Sequence, residues 1–465
     1  MRNRRLFTTL LLSLLWVSQL GLSQTPGAAG APASEASHDS ADAFDTAFNY
    51  VVTFYPRWFT YFQAENPNRL VGSNRISPII HAIVAVNVDT AYATAFFSLT
   101  DQPVIVTVPS TNDVYSVLML DEYGNLVQQS ITAAPPGAPG AVYALIGPNW
   151  SGGTLPDGAI PIRPGVNNGF MVFRADNYIK NGNEYEDMRQ EADTFRRSLC
   201  LIPLSQYQPC PNAGLTKILP ELAFAFPFKG LAVALIANQP LLFLETLQIA
   251  VLSPTTQPFT PDEQTLSDNF NAFFSDPSNW PQMIAATKAA HAKTDRNYHT
   301  TTLPGTNWVH FTDIAQWFDP SQYLDRASVT VYIQDGNNIS AASYYHAFVD
   351  GNGNPLDGRA HNYVLTFKEG EQPLVTRFWS VTAYLPVSIE LVPNSANKYA
   401  VASYTPNLET AKDGSVSIVM AVNKPAGVFK ANWLPIPRGP FNILLRAYGP
   451  ENASTYVPPP IKVLP

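Results

Sequence analysis

The chain has 465 residues, which is long enough for two to four domains of ordinary size. Hydrophobic residues make up 46% of it, and this excludes a chain that is disordered throughout. Charged residues make up only 14%, against about 25% in an average soluble protein. The 41 prolines and the 12% of aromatic residues favour sheets joined by turns over a mostly helical protein.

The first 23 residues have the features of a secretory signal peptide. Three arginines precede the apolar run 6–20, and the small residues Gly21 and Ser23 predict cleavage before Gln24. An uncleaved anchor is the alternative, although the run is short for a membrane span. Loss of the three arginines takes the formal net charge from −8 to −11. The sequence therefore predicts a secreted protein without stable membrane insertion, and its acidity disfavours nucleic acid and anionic membranes as partners.

The chain after the signal peptide begins with a linker and then a helix. Residues 24–41 are rich in Ala, Gly, Pro and Ser, as in flexible linkers. Apolar residues from Phe44 to Tyr55 recur at spacings of three and four, which predicts an amphipathic helix that ends at Pro56. Short β runs follow, so residues 42–180 are predicted to form this helix and a β-sandwich.

A helical insertion separates this region from a second β-rich region. Residues 181–326 are predicted to be helical, with prolines dividing the apolar segment 218–252 into short buried helices. Residues 327–465 are predicted to form a jelly roll. Its strands are predicted at 328–333, 363–367, 375–384, 389–392, 399–402, 416–422 and 441–448, with hairpin turns at Asp335-Gly336, Asp350-Gly351 and Asp413-Gly414.

Cysteine and asparagine positions predict two covalent features. Cys200 and Cys210 are the only cysteines, and in an oxidising compartment we expect them to form a disulfide; two buried thiols are the alternative. Asn149, Asn338 and Asn452 each begin a sequon and are predicted glycosylation sites. The chain has no Gly-rich phosphate loop, HExxH, CxxC or GxSxG motif, and its seven histidines lack metal-site spacing. We therefore expect no metal and no cofactor.

Two sets of strings resemble known domains. The string Asn87-Val88-Asp89-Thr90-Ala91-Tyr92 resembles the N-x-D-T-x-Y signature of the domain of unknown function 1254. Further matches to that domain are Tyr115, Asp121, Asn125, Gly147-Pro148 and Arg174. The C-terminal third is similar to the companion domain of unknown function 1214. The matching strings are Asn362-Tyr363, Phe378-Trp379-Ser380-Val381-Thr382-Ala383-Tyr384, Asp413-Gly414, Asn432-Trp433-Leu434-Pro435-Ile436-Pro437, Phe441 and Arg446-Ala447-Tyr448.

The resemblance carries expectations about fold and activity. It implies a mainly β protein with a helical insertion: an N-terminal Ig-like β-sandwich, a middle helical domain and a C-terminal jelly-roll β-sandwich. The chain also resembles secreted fungal hetero-Diels–Alderases of tropolone–sesquiterpenoid biosynthesis, which join a quinone methide to a humulene-type terpene. This second resemblance implies a secreted, cofactor-free enzyme that acts on a small apolar or aromatic metabolite.

A substrate cleft is predicted between the sandwich and the jelly roll, because ligand sites prefer domain interfaces. Arg377, Tyr384 and His361 are the candidate catalytic residues. The candidate substrate-binding residues are Tyr92, Trp379 and Phe226. Structural alternatives stand beside these roles: a carboxylate ion pair for Arg377, core packing for Trp379, and a buried polar network for the Asn87–Tyr92 string.

Three functions remain open from the sequence. The first is the enzyme, in which a Tyr, Arg or His hydrogen-bonds the quinone-methide oxygen while an acid–base pair assists loss of water. The second is a non-catalytic module that binds glycans or lipids. The third is a structural secreted protein, and a homo-oligomer is left open in every case.

Overall fold

The computed structural model describes residues 42–64, 66–253 and 257–464. The predicted signal peptide and the linker 24–41 lie outside the described residues. The fold is mainly β with helices concentrated in the middle of the chain, which confirms the predicted class. Two pairs of stacked sheets lie at the two ends of the chain, and a layer of helices packs against both.

The elements have the following bounds. The helices are α1 (Ala43–Gln63), α2 (Arg189–Ser198), α3 (Phe228–Asn238), α4 (Pro240–Val251), α5 (Pro261–Phe274), α6 (Trp280–Thr300) and α7 (Tyr323–Tyr332). The N-terminal strands are β1 (Val71–Ser73), β2 (Thr90–Ser98), β3 (Val104–Val108), β4 (Tyr115–Leu120), β5 (Ala141–Leu145), β6 (Ile160–Ile162), β7 (Asn168–Asp176), β8 (Tyr178–Asn181), β9 (Glu184–Asp187), β10 (Cys200–Pro203) and β11 (Lys217–Leu219). The C-terminal strands are β12 (Ala342–Ala347), β13 (Tyr363–Phe367), β14 (Val375–Tyr384), β15 (Ala400–Ala402), β16 (Val416–Ala421), β17 (Trp433–Pro435), β18 (Asn442–Pro450) and β19 (Lys462–Val463).

The N-terminal sandwich consists of two sheets with the strand orders β11-β1-β2-β7-β4 and β10-β3-β5-β6. Their facing sides share an apolar core that includes Phe97, Val106 and Phe173. The first sheet, called the N-terminal inner sheet below, turns its other side to the helices. Because β10 and β11 belong to these sheets, the sandwich extends to Leu219, beyond the predicted limit at residue 180.

The C-terminal sandwich has the strand orders β12-β18-β14-β15 and β17-β16-β13-β19. Leu365, Trp379 and Leu445 belong to the core between these two sheets. The first sheet, called the C-terminal inner sheet below, also turns its other side toward the helical layer. In each inner sheet, the side that faces away from its own sandwich core packs with the helices. These two sides and the helices form one large apolar cluster.

Helix α1 is longer than predicted, because it continues through Pro56 to Gln63. A proline inside a helix removes one backbone hydrogen bond and costs about 3 kcal/mol. Burial offsets this cost: Trp58 and Phe59, in the turn after Pro56, are only 0% and 2% exposed. The Trp58 Nε1 donates to Thr246 Oγ1 of α4 at 2.9 Å. The helix therefore belongs to the helical layer and not to the sandwich with which it was predicted.

Three further local predictions were wrong. The strand predicted at 389–392 is absent, because these residues follow the turn after β14 and only Leu391 forms an isolated bridge, with Tyr384. Residues 328–333 were predicted as a strand because they are β-branched and apolar, but 323–332 form helix α7. Contacts of α7 with α1 and α6 outweigh the β propensity of its valines and threonines. Asp335-Gly336 follows this helix and leads into β12, so it is not a hairpin turn.

The predicted disulfide between Cys200 and Cys210 is confirmed. Cys200 lies in β10, so the bridge is part of the N-terminal sandwich and not of the helical layer. The stretch 221–238 is apolar enough by length and composition to cross a membrane. It folds as a short 3-10 turn and the 11-residue helix α3, with Pro227 between them.

Candidate functional site

A cavity of about 70 Å³ lies between the two inner sheets. This is smaller than most sites that enclose a whole small molecule, so the walls would have to move apart to enclose one. The N-terminal inner sheet provides one wall, the C-terminal inner sheet provides the other, and the segment after α7 closes one side. Most of the lining is apolar, with Val84, Phe170, Val172 and Ile333 among the residues that form it.

The register of the N-terminal inner sheet explains which of its side chains reach the cavity. Tyr92 of β2 pairs with Arg174 of β7, and Thr94 pairs with Val172. Since side chains alternate across a strand, these four residues share one face, while Phe173 between them lies in the sandwich core. The Arg174 guanidinium lies 5.8 Å from the centre of the Tyr92 ring. This wall therefore places a cation beside an aromatic ring.

Arg174 is held by the segment that follows α7. Its Nη1 donates to Asn337 Oδ1 at 2.9 Å, and its Nη2 donates to the Asp335 carbonyl oxygen at 3.3 Å. The Asn337 Nδ2 in turn donates to Tyr344 Oη at 2.7 Å, which connects this wall to the C-terminal inner sheet. Burial raises the pKa of the Asp335 carboxyl to about 7, although Arg174 acts to lower it. Asp335 is thus suited to exchange a proton near neutral pH.

The C-terminal inner sheet contributes a second arginine. Arg446 of β18 pairs with Tyr344 of β12 and is only 3% exposed. Its Nη2 donates to the Ala85 carbonyl oxygen, while its buried Nη1 has no hydrogen-bond acceptor. Burial opposes the charge, but the attraction of Tyr384, Tyr448 and the Asp89 carboxylate leaves the pKa of Arg446 above its ordinary value. The cavity wall therefore holds a charged guanidinium with a free donor.

An irregular strap, residues 74–87, covers the cavity and bridges the two sandwiches. His81 and Ala82 donate their backbone N–H groups to the Phe224 carbonyl oxygen, both at 2.9 Å. On the other side, Ala85 N donates to Ile389 O at 3.1 Å, in the loop after β14. Ala85 and Ile389 both have left-handed backbones, with φ of 51° and 53°. For Ala85 this strained conformation accompanies a carbonyl that accepts from Arg446.

The Asn87–Tyr92 string crosses the boundary between the sandwiches. Asn87 Nδ2 donates to the Tyr448 hydroxyl, and Asn87 Oδ1 accepts from the Asp89 backbone N–H at 3.1 Å. The Asp89 carboxylate accepts from Ser380 Oγ at 2.7 Å and from the Tyr404 hydroxyl. Burial raises the pKa of Asp89 against the lowering effects of Tyr404, Arg446 and Ser380. This is the buried polar network given above as the alternative for the string.

The structure brings only some of the predicted site residues to the cavity. Tyr92 lines it directly. Tyr384 is buried behind the strap, where its hydroxyl donates to Val86 O at 2.8 Å, and its pKa is raised to about 12 mainly by burial. Phe226 packs edge-on against Phe228, while Phe224 lines the cavity in its place.

The remaining three predicted residues lie elsewhere. Arg377 forms an ion pair with Asp176 of β7, the structural alternative stated for it, and its Nε donates to Asp176 Oδ2 at 2.8 Å. Trp379 lies on the opposite face of β14 from the cavity, in the core of the C-terminal sandwich, and so does not line the cavity. His361 is exposed, in the segment before β13. Arg377 and Trp379 therefore have the contacts expected of residues that stabilise the fold.

Sequence reasoning missed the two arginines and the carboxylate of the cavity. Arg174 and Arg446 were quoted only as matches to a domain pattern, and Asp335 only as a turn signal. The usable signal was a charged residue inside an otherwise apolar strand, since such a residue needs a partner when buried. That reasoning was applied to Arg377 and applies equally to Arg446, which follows Leu444 and Leu445.

The predicted sequons differ in their surroundings. Asn149 is exposed and Asn452 is partly exposed, so glycosylation of both stays a prediction. Asn338 is 8% exposed and its Nδ2 is buried. This burial argues against glycosylation of Asn338, which stays a prediction like the other two. Within the described residues, no group of three or more His, Cys, Asp or Glu side chains is arranged to hold a metal ion.

Comparison with known families gives two matches in the order expected. Residues 67–203 match "Protein of unknown function (DUF1254)" and residues 341–452 match "Protein of unknown function (DUF1214)". Together they cover more than half of the chain. The chain belongs to the family of proteins that combine these two domains. No curated protein shows significant similarity to it.

Two solved structures are similar to this chain. The crystal structure of the VPA0106 protein from Vibrio parahaemolyticus matches with a TM-score of 0.55 at 21% identity, covering 91% of this chain and all of that one. A putative uncharacterized protein from Burkholderia cenocepacia matches with a TM-score of 0.43 at 14% identity, over 90% of this chain and 87% of that one. At these identities the first match concerns the fold alone.

Proposed function

We propose that this protein is an enzyme that acts on a small, largely apolar or aromatic molecule bound between the two inner sheets. One observation carries the proposal: Arg446 lines an otherwise apolar cavity and holds a buried Nη1 without an acceptor. A buried donor without a partner costs free energy, which an oxygen of a ligand would recover. Secretion is part of the proposal and is supported by the Cys200–Cys210 disulfide.

The charged groups of the cavity have complementary roles in this proposal. Arg446 donates a hydrogen bond to a neutral carbonyl or phenol oxygen of the substrate, and in a buried site such a donor stabilises developing negative charge strongly. Arg174 lies in the opposite wall and adds positive charge. Asp335, with its pKa raised to about 7 by burial, exchanges a proton with the substrate at neutral pH.

The most concrete reaction is the one implied by the resemblance to hetero-Diels–Alderases. Asp335 in its acid form donates a proton to the hydroxyl of a benzylic-type alcohol, which leaves as water, and the resulting carboxylate takes the proton of the ring hydroxyl. The product is a quinone methide whose carbonyl oxygen is held by Arg446. A terpene alkene then adds across it, so one C–O and one C–C bond form and nothing leaves. Holding both reactants together lowers the entropic part of the barrier, and the walls of the 70 Å³ cavity move apart to admit them in this proposal.

The test is the reaction of the purified protein with a tropolone-type benzylic alcohol and a humulene-type alkene. We expect one stereoisomer, and we expect Arg446→Met to slow its formation at least about a hundredfold, as for loss of an oxyanion-hole donor. Arg359→Met is the matched control, because Arg359 is 63% exposed and is not among the residues that line the cavity. It should leave the rate unchanged. A racemic product formed at the rate seen in buffer would contradict the enzyme.

A non-catalytic lipid-binding protein is the second candidate, because the apolar walls at Val84, Phe170 and Val172 would also accept an acyl chain. Such a protein would bind an apolar ligand tightly and release it unchanged. Binding without product formation in the same assay, with affinity lowered by Arg446→Met, would favour this candidate.

A further inference from the structure

We propose that Asp89 is a positioning residue that stabilises the buried charge of Arg446 and sets which ligands Arg446 accepts, favouring neutral oxygen acceptors over anions. The proposal rests on the proposed function of the cavity and gives its substrate class a physical basis. It also assigns a role to the most conspicuous string of the N-terminal region. The charge of the Asp89 carboxyl group is central to this role.

Asp89 has the surroundings of an ionised carboxylate. It is 0% exposed, and each of its two oxygens accepts a hydrogen bond from a hydroxyl of the C-terminal sandwich. Ser380 Oγ donates to Oδ2 at 2.7 Å, and the Tyr404 hydroxyl donates to Oδ1. Burial raises the pKa of Asp89, while these two hydroxyl donors and the positive charge of Arg446 favour the ionised carboxylate. Asp89 therefore brings a negative charge into the boundary between the sandwiches.

This charge lies near Arg446 without contacting it. Ser380 of β14, which holds Asp89, is paired in register with Arg446 of β18. The two charges influence each other electrostatically, yet within the described residues Arg446 has no carboxylate at ion-pair distance. A buried guanidinium without any counter-charge would be strongly destabilised. Asp89 supplies that counter-charge while Nη1 of Arg446 stays free for a ligand.

The separation has a consequence for specificity. A carboxylate in direct contact would occupy the guanidinium, and the absence of any negative charge would make the site attract anions. A counter-charge at a short distance does neither: it weakens the binding of an anion and leaves hydrogen bonding to a neutral carbonyl intact. Asp89 thus shifts the preference of Arg446 toward neutral ketones and phenols and away from carboxylates and sulfonates, against the attraction that Arg174 in the opposite wall exerts on anions.

Two fluorescent probes with the same apolar body test this inference. One is 1-anilinonaphthalene-8-sulfonate, an anion, and the other is N-phenyl-1-naphthylamine, which lacks the sulfonate. Asp89→Asn removes the charge and keeps the shape of the side chain. We expect it to strengthen binding of the sulfonate roughly tenfold relative to the neutral probe. Ser380→Ala is the matched control, because it removes one hydrogen bond of the same network without changing its charge, and it should leave the ratio of the two affinities unchanged.

The outcomes distinguish an electrostatic role of Asp89 from a merely structural one. Equal weakening of both probes in Asp89→Asn and in Ser380→Ala would show a merely structural role and overturn the inference. If Asp89→Asn does not fold, Asp89→Ser is measured in the same way, and failure of both to fold also overturns it. Arg446→Met separates the two proposals: sulfonate binding that survives this change contradicts the proposed function, whereas sulfonate binding that is lost there and unaltered in Asp89→Asn contradicts only the role of Asp89.

Discussion

The two faces of the C-terminal inner sheet differ although the same strands supply both. Trp379 and Val381 of β14 and Leu445 of β18 lie in the core of the C-terminal sandwich. Their neighbours Ser380 and Arg446 point to the other face, toward the strap and the cavity. In most antiparallel sheets the polar face meets water, but here Ser380 is 0% and Arg446 3% exposed. A polar face that is buried marks a boundary between two parts of a protein.

The comparison also explains how each face is stabilised. The core face depends on apolar area and close packing, where loss of volume leaves a cavity. The boundary face packs apolar side chains such as Phe378 and Leu444 against the helices, and it depends in addition on hydrogen bonds and charges, where loss of one partner leaves the other unsatisfied. Substitutions on the two faces should therefore lower the stability of the fold for different reasons.

The largest effect is expected on the core face, from Trp379→Ala. Trp379 is 2% exposed and packs against Phe367 with ring centres 5.2 Å apart. Loss of so large a buried side chain costs about 3–5 kcal/mol of unfolding free energy. Urea unfolding measures this cost. Ser380→Ala, one residue away on the boundary face, should cost about 1.5–3 kcal/mol, because it removes one hydrogen bond to the buried Asp89 carboxylate. A larger cost for Ser380→Ala than for Trp379→Ala would contradict the distinction between the faces.

A somewhat smaller effect is expected from Arg377→Met at the edge of the boundary. The change leaves the carboxylate of Asp176, which is 1% exposed, without its partner. Breaking a buried pair from one side costs roughly 3–5 kcal/mol, and the 16% exposure of Arg377 places it at the lower end. The double variant Arg377→Met, Asp176→Leu should recover most of the loss in thermal unfolding. A stable single variant with impaired turnover would instead restore Arg377 as a catalytic candidate.

The smallest effect concerns pH and Asp335, across the cavity from the boundary face. Burial raises the pKa of its carboxyl from 3.8 to about 7, so the folded state holds the proton more tightly than the unfolded state. Its contribution to stability is complete below about pH 4 and is lost as the pH rises through about 7. Asp335→Asn cannot lose this proton, so its melting temperature should fall by a few degrees less than that of the wild type between pH 5 and pH 8. Parallel pH profiles would contradict the assignment.

The fold was largely predictable because its signals are local. Alternating apolar runs and turn residues located most strands, and two cysteines in a chain with a secretory leader pattern gave the disulfide. The failures share a cause. Residues 328–333 have β propensity, and Pro56 is a helix breaker, yet both lie in helices that are buried in the helical layer. Tertiary packing overrode local preference in both cases.

The candidate site was less predictable because it depends on contacts between distant segments. Alternation along a strand places Trp379 and Ser380 of β14 on opposite faces, but it does not show which buried face adjoins a cavity. The polar lining of the cavity includes Tyr92, Arg174, Asp335 and Arg446. More than three hundred and fifty positions of the sequence separate the first of these residues from the last. Only the docking of the two sandwiches brings these residues together.

The composite origin of the cavity has a consequence for how such a protein can evolve. Tyr92 and Arg174 lie in the segment matched by one domain family and Arg446 in that matched by the other, while Asp335 lies in neither. Each sandwich core can drift by substitutions that only its own sheets experience. A change at the boundary must be answered by the other half, so a recombination event that exchanged one half would inherit a mismatched cavity. Selection on the proposed activity would then act on the two halves and their connecting segment together.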